Sequence, residues 1–310
     1  MGDAATATGL GRNFADVVAL DNVSLVVPEG KLFGLIGADG AGKSTLLRIL
    51  VTLIRADRGT ARVLGYDVAA EFGAIRRLVG YMPQKFSLYG DLSVRENLLF
   101  FAEVFGVAGA DRRTRMEQLL HFSRLAEFQH RRAAKLSGGM KQKLALSCCL
   151  IHTPRLLLLD EPTTGVDPVS RLEFWQILDD LKKQGITVIV STPYMDEAVK
   201  CDHLLLLHRG AARRQGTPAD LLAAYPLDLY KVTSPDGAVG MPPAGTPLPP
   251  GVSLMYQAAG ELRLAGVVTI PAGTLLGHIR RSLPGAAAIE RTKPTIEDLL
   301  FYELSDREAP

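Results

Sequence analysis

Gly37-Ala38-Asp39-Gly40-Ala41-Gly42-Lys43-Ser44-Thr45 decides how the rest of this chain is read. An apolar run, Leu32-Phe33-Gly34-Leu35-Ile36, precedes it, and Leu46-Leu47-Arg48-Ile49-Leu50 follows it. The order is therefore strand, tight loop, helix. The spacing G-x-x-x-x-G-K-S is that of a phosphate-binding loop. Glycines let the backbone curl until successive N–H groups face one centre. A helix beginning near Lys43 adds the positive end of its dipole. The lysine, expected on a solvent-facing loop, supplies a mobile charge for the β- and γ-phosphates, and the Ser44 hydroxyl can ligate Mg²⁺. The strand and helix signals on either side argue against a glycine turn that binds nothing.

Further along the chain, Leu156-Leu157-Leu158-Leu159-Asp160-Glu161 reads as a strand buried on both faces and ending in two carboxylates. Beside a phosphate loop, Asp160 would hold Mg²⁺ and Glu161 would orient or deprotonate an attacking water. Gln84 stands just past another predicted strand, Leu78 to Met82. Ligands of open α/β sheets gather at such carboxyl ends, and a glutamine there can reach a metal or a water. Leu136-Ser137-Gly138-Gly139-Met140 opens a helix with small residues. That pattern suits either close approach of an anion or a plain N-cap. Phe14, beside Arg12 and Asn13, is either an aromatic that stacks on a base or an ordinary core or edge residue.

Composition bounds the class. The chain has 310 residues, enough for more than one domain. Lys plus Arg number 35 against 33 Asp plus Glu, so no basic field points to nucleic acid. Cys148, Cys149 and Cys201 have neither metal nor disulfide spacing, which suits a reducing compartment. Residues 1–8 lack a signal pattern, and no apolar run reaches the roughly 18 residues of a membrane span. A soluble chain is expected, with any membrane part supplied by other chains.

The local signals give an element order. Ala5 to Leu10, Val17 to Leu20 and Val23 to Val27 suit strands. A short strand follows at Thr60 to Leu64. Ser93-Val94-Arg95-Glu96 is a capping box opening a helix that Gly106 stops. A second helix runs from Asp111 to Phe122 and a third from Lys141 to Ile151. Residues of about 91–152 thus form a helical insertion. An amphipathic helix, Ser170 to Gln184, puts Leu172, Trp175, Leu178 and Leu181 on one face. Strands at Ile186 to Ser191 and Leu204 to Leu207 flank a helix at Met195 to Lys200. Composition shifts near Pro226, and residues 234–251 form a Pro/Gly-rich loop. A strand at Leu229 to Thr233, a hairpin at Val252 to Leu264, a helix at Thr274 to Leu283, a strand near Ile289 and a helix at Ile296 to Leu304 make a small α+β domain.

With phosphate loop, glutamine, Ser-Gly-Gly helix and Asp-Glu strand end in that order, the chain resembles the ATP-binding subunit of ABC transporters. The resemblance covers about Thr6 to Tyr225. Leu136-Ser137-Gly138-Gly139 belongs to the family's signature. Pro83-Gln84-Lys85-Phe86-Ser87-Leu88-Tyr89 and Met140-Lys141-Gln142-Lys143 look most like drug-efflux members. The end, Pro294-Thr295-Ile296-Glu297-Asp298-Leu299-Leu300, resembles an accessory domain of that branch. The implied architecture is α/β: a phosphate-loop NTPase core with a mixed sheet and an inserted all-helical signature subdomain over residues 1–225, then an accessory domain over 226–310.

The resemblance also implies roles. Phe14 stacks on adenine. Gly37, Ala38, Asp39, Gly40, Ala41, Gly42, Lys43, Ser44 and Thr45 bind the phosphates of ATP. Ser44, Gln84 and Asp160 serve Mg²⁺, Glu161 and Gln84 are catalytic, and Gln84 couples to the permease. Ser137, Gly138 and Gly139 contact the γ-phosphate bound on a second ATPase domain paired head-to-tail, and Asp167 communicates across that dimer. The implied place is the cytoplasmic face of a membrane, with permease subunits as partners and no nucleic acid. Half of Phe86, Leu88, Tyr89, Phe100, Phe101 and Phe105 are expected to line a groove for a short permease helix. Two departures stand out. Met140 occupies a position where the signature usually has glutamine, and Pro193 one where the family usually has a histidine at the γ-phosphate. Proline brings no donor, though Thr192 or Tyr194 is expected to substitute in part through a hydroxyl. The rival readings are a regulatory module that hydrolyses ATP poorly and a soluble ABC protein acting on ribosomes or DNA.

Overall fold

The computed structural model describes residues 2–85, 88–234, 239–243, 246–258, 260–268, 270–283 and 285–305. Phe86 and Ser87, and parts of the loop at 234–251, lie outside the described residues. The chain divides into two compact units, Met1–Thr217 and Pro218–Pro310.

The first unit begins with a long hairpin, β1 (Asp3–Phe14) and β2 (Val17–Pro28). The expected shorter strands merge into it because bulges, such as the shift between Ala7 and Leu10, let the pairing continue through irregular register. β3 (Leu32–Ile36) leads through the glycine loop to α1 (Lys43–Leu50). β4 (Arg58–Val63) and β5 (Tyr66–Asp67) complete an antiparallel sheet of order β2-β1-β4-β5. Next come α2 (Phe72–Leu78), which local signals did not announce, and β6 (Val79–Met82). Three helices form the insertion: α3 (Val94–Val104), α4 (Gly109–Phe122) and α5 (Gly138–Leu150). The chain then returns through β7 (Leu156–Asp160), α6 (Pro168–Lys183), β8 (Thr187–Thr192), α7 (Met195–Ala198), β9 (His203–His208) and β10 (Ala211–Gly216).

The second sheet has the order β10-β9-β3-β8-β7-β6. All its pairs are parallel except β10 with β9. Its central strands β3 and β7 are buried at every position, as apolar runs without alternation require. Helix α1 contributes Leu46, Leu47, Ile49 and Leu50 to a core shared with both sheets. Each of these is fully enclosed, so truncation to alanine removes about 2–5 kcal/mol. That core fixes the helix start against the sheet, and hence the loop before it.

The helical insertion has its own core, with Leu98 and Ala102 of α3, Met116 and Leu120 of α4, and Leu144 and Cys148 of α5. Its entry is secured locally. Ser93 Oγ accepts from Glu96 N at 3.2 Å and Glu96 Oε2 accepts from Ser93 N at 2.7 Å, which is the expected capping box. On α6 the apolar stripe differs from expectation. Trp175, Leu178 and Leu181 are buried, but Leu172 points outward and Phe174 is buried in addition.

The second unit contains α8 (Pro218–Ala223), β11 (Asp228–Thr233), β12 (Val252–Ala258), β13 (Glu261–Gly266), α9 (Ala272–Ser282), β14 (Ala288–Arg291) and α10 (Ile296–Ser305). Its antiparallel sheet runs β12-β13-β11-β14. Leu262, Leu264, Leu275 and Ile279 pack one face, while Leu229, Tyr256 and Ala265 pack with Phe301. The division falls after Thr217 and not after Tyr225. Pro218 opens α8, which packs against α10, and the Tyr225 ring meets Tyr302 edge-on at 5.8 Å. Residues 218–225 therefore bury their apolar groups within the later unit.

Candidate functional site

The parallel register brings four chain segments to one sheet edge. Ile36 pairs with Thr192, Asp160 with Ser191, and Met82 with Leu159. The residues that follow these pairs are Gly37 of the glycine loop, Glu161, Pro193, and Pro83-Gln84. They converge because parallel neighbours end on the same side.

The glycine loop reaches its curl through left-handed backbone. Gly42, at φ 104°, caps α1, and a Cβ there would stand 2.5 Å from the Ala19 carbonyl oxygen of β2. Only glycine lets the loop lie this close under the hairpin. Ala38, Asp39 and Gly40 are exposed, while Gly37 and Ala41 are buried. The expectation of a solvent-facing Lys43 is corrected. It is the first residue of α1 and only 4% exposed. Its ammonium donates to Gly37 O at 2.9 Å and Ala38 O at 3.1 Å, and lies 3.3 Å from Glu161 Oε1. The loop folds back over its own lysine, because an ammonium has donors and no acceptor and the curled carbonyls are its nearest oxygens.

Asp160 is fully buried. Its Oδ1 accepts from Ser44 Oγ at 3.0 Å and from Ser191 Oγ at 2.7 Å. Its Oδ2 has no partner, which leaves one anionic oxygen open. Glu161 follows at φ 48°, a left-handed conformation uncommon for a side chain with a Cβ. Its N–H reaches Ser191 Oγ at 2.9 Å and Ser191 O at 3.2 Å. Its Oε2 accepts from Gln84 Nε2 at 2.8 Å. With Ser191 joining Asp160 to Glu161, the side chains of Gln84, Glu161, Lys43, Ser44 and Asp160 form one bonded network.

That network fits a divalent cation. A buried carboxylate oxygen without a donor is costly unless something positive meets it, and Ser44 Oγ stands on the same carboxylate. Hard cations such as Mg²⁺ take oxygen ligands of this kind and complete their shell with phosphate and water.

The other candidates lie around this centre. Phe14 closes β1 at the hairpin turn and is 43% exposed, with Val17 and Val18 also exposed, so the core alternative is excluded. The Arg12 guanidinium lies 4.8 Å from its ring centroid and pairs with Asp57 at 2.6 Å. Ser137 caps α5, accepting from Met140 N at 3.3 Å. A Cβ on Gly139 would meet Ser170 at 2.4 Å, so this helix start abuts the start of α6. Asp167 caps α6, accepting from Ser170 N at 2.9 Å, and that bond holds its carboxyl below the usual range. Ser137, Gly138, Gly139 and Asp167 therefore form a second cluster. Among the described residues no hydrogen bond joins it to Lys43, Ser44 or Asp160.

At the end of β8, Thr192 Oγ1 donates to Glu197 Oε2 at 2.5 Å and accepts from Tyr194 N at 3.0 Å. Thr163 Oγ1 donates to the other Glu197 oxygen at 2.7 Å. The Thr192 hydroxyl is fully buried and committed, so it is not the substitute expected beside Pro193. The Tyr194 ring lies under Arg171, at 4.9 Å. Ser191 and Thr163 had no local signal, since their partners Asp160 and Glu197 lie 31 and 34 positions away.

A phosphate-type loop, a cation-ready aspartate and a glutamate held by glutamine and lysine, all at the carboxyl edge of a parallel sheet, define a nucleotide-binding cassette of the phosphate-loop class. The chain belongs to the ABC transporter family, whose pattern matches residues 20–164. It is 44% identical over 232 residues to the probable multidrug ABC transporter ATP-binding protein YbhF of Escherichia coli (strain K12), which covers 74% of this chain and 40% of that protein. It is 37% identical over 227 residues to the Nod factor export ATP-binding protein I of Paraburkholderia xenovorans (strain LB400), covering 73% of this chain and 75% of that one. A solved dimeric cassette, MJ0796 bound to ADP and Pi, superposes with a TM-score of 0.62 at 26% identity, over 69% of this chain and 98% of that one. The chain spans 40% of the length of the first of these relatives.

Proposed function

We propose that this chain binds and hydrolyses ATP to drive an ABC-type exporter, with multidrug efflux as its transport class. The observation that carries the reading is the Lys43, Ser44, Asp160, Glu161 and Gln84 network at one sheet edge. The loop from Gly37 to Thr45 cradles the phosphates, and Lys43 leaves Glu161 to take the β- and γ-oxygens. Ser44 and Asp160 would hold Mg²⁺, with Gln84 beside them, and the ion would supply charge neutralisation at the phosphates. Glu161, released by Lys43, accepts a proton from the attacking water, and Gln84 orients that water. Phe14, exposed on the hairpin, stacks on the base. Ser137, Gly138, Gly139 and Asp167 serve the nucleotide on a second, head-to-tail cassette. The dimeric cassette among the solved relatives supports this pairing.

The chain works at the cytoplasmic face of a membrane beside permease subunits. Among the described residues no helix is long and apolar enough to cross a bilayer. The names of the related ATP-binding proteins, multidrug and Nod factor export, support export as the direction. The near balance of 35 basic and 33 acidic residues supports a partner other than nucleic acid.

Pro193 favours a second reading, in which this site is the slow member of a non-identical pair. It brings no donor to the edge between β3 and β7, and the neighbouring Thr192 hydroxyl is bound to Glu197. Loss of one preorganised donor lowers rate by about 10²–10³. The intact Ser137-Gly138-Gly139 would then complete the site of a faster partner. The test is steady-state ATPase of the chain alone, of Pro193→His, and of the chain mixed with its candidate partner. The substitution should raise turnover without altering ATP affinity, and the partner should raise it further. Brisk turnover of the unmodified chain that Pro193→His does not improve removes the asymmetric reading. Absence of ATP binding removes the cassette function altogether.

A further inference from the structure

We propose that Ser191 is a positioning residue whose single hydroxyl sets both acids of the site, Asp160 for the divalent cation and Glu161 for the water. The inference rests on the Mg²⁺–ATP reading of the site and deepens it. Ser191 is fully buried at the last β7–β8 pair, directly across from Asp160. Its hydroxyl donates to Asp160 Oδ1 at 2.7 Å and accepts from Glu161 N at 2.9 Å. One proton and one lone pair are thus spent on two neighbouring residues of opposite task.

The consequences differ for the two acids. Asp160 has a second donor on the same oxygen, Ser44 Oγ at 3.0 Å. Ser44, however, must face a cation when one is bound, whereas Ser191 lies within the sheet and has no other duty. Ser191 therefore keeps the carboxylate plane oriented so that the partnerless Oδ2 remains the open ligand. For Glu161, the left-handed backbone at φ 48° is a costly conformation that must be held from outside. Its N–H is clasped by the Ser191 hydroxyl and by the Ser191 carbonyl at 3.2 Å. This clasp turns the Glu161 side chain from the strand direction toward Gln84 and Lys43. Outer partners of metal ligands characteristically control affinity and activity in this manner, with losses of about 10–100-fold on removal.

Two isosteric substitutions isolate the hydroxyl. Ser191→Thr and Ser191→Val add the same bulk, and only threonine keeps the donor and acceptor. Ser191→Ala removes the group without adding bulk. The measurements are ATP affinity by calorimetry with Mg²⁺ and with the metal chelated, and the Mg²⁺ concentration for half-maximal ATPase. For Ser191→Ala and Ser191→Val, affinity for Mg²⁺–ATP should fall about tenfold and half-activating Mg²⁺ should rise about tenfold. Metal-free ATP affinity should stay within about twofold of the unmodified chain, because loop 37–45 is untouched, and Ser191→Thr should behave like the original. Equal losses with and without Mg²⁺ would show mere structural damage and overturn the proposal. Equal behaviour of the threonine and valine variants, or an alanine variant with unchanged Mg²⁺ response, overturns it as well. If the unmodified chain itself binds no ATP, the functional reading fails and takes this inference with it. If it binds Mg²⁺–ATP normally and only the variants disagree, Ser191 alone is misassigned.

Discussion

Lys43 carries two loads. Its ammonium ties down the carbonyls of Gly37 and Ala38 and balances the buried Glu161 carboxylate. A solvent-facing lysine could be removed with the fold intact; this one cannot be removed without leaving Glu161 short of its charge partner. Breaking a buried pair by deleting one member costs about 3–5 kcal/mol, lessened here by the remaining bond from Gln84. Lys43→Ala should therefore weaken ATP binding by on the order of tenfold to a hundredfold and also lower the melting temperature. In the double variant with Glu161→Gln, stability should recover while ATP affinity does not. Calorimetry and thermal melts read the two effects apart; full ATP affinity in Lys43→Ala would remove the lysine from the site. At this scale the glycine spacing and the acid pair were readable in the chain, but the burial of Lys43 was not. Burial depends on the loop carbonyls of Gly37 and Ala38 curling over the ammonium and on Glu161, 118 positions later in the chain, meeting it.

Helix starts are the elements that place the second cluster. Asp167 caps α6 as a carboxylate, and the Ser170 N–H holds its pKa below the ordinary value. The sign follows from the depressed folded-state value. The cap stabilises fully above the unfolded-state pKa, and this contribution is lost as pH falls through the folded-state pKa. The difference in melting temperature between the original chain and Asp167→Ala should thus be largest near neutrality and shrink in acid. A difference independent of pH would mean that the cap does not act through its charge. The analogous start of α3 is a reciprocal capping box, legible in the sequence because its two members are three residues apart. Helix α2 and strand β10 lacked such punctuation. Leu172 followed the apolar period of α6 yet is 57% exposed.

At the scale of the whole molecule, the proposed export function calls for a surface that a membrane partner could use, and the first unit has an apolar candidate. Phe86 lies outside the described residues. Of the other aromatic and aliphatic groups expected there, Leu88 and Phe101 pack against the core of the helical insertion. Tyr89 and Phe105 are exposed, and Phe100 meets Tyr89 at 4.5 Å. A groove of about 280 Å³ is lined by Val51, Leu53, Arg76, Val79, Tyr81 and Phe105. Val51 and Val79 are buried at its floor, and Leu53, Arg76 of α2 and Phe105, just past α3, stand at its rim, which suits an apolar helix face laid across it. Cysteines at Tyr89 and Leu53, cross-linked in native membranes, should capture a permease subunit. Capture of a second cassette alone would move the docking surface elsewhere.

Local chemistry alone determined the phosphate loop, the buried acid-ended strand, the capped helices, the inserted helical block and the small later unit. Each rests on residues within a turn or a strand length of one another, where propensity, capping and periodicity act. Only the tertiary structure decided which groups meet. Ser44 reaches Asp160 across 116 positions, Gln84 reaches Glu161 across 77, and Ser191 clasps Glu161 across 30. It also decided that Thr192 is committed to Glu197, that the Phe14 ring is exposed, and that residues 218–225 join the later unit. Such pairings follow from strand order and register. These depend on which apolar faces bury one another, and no single stretch of the chain contains that information.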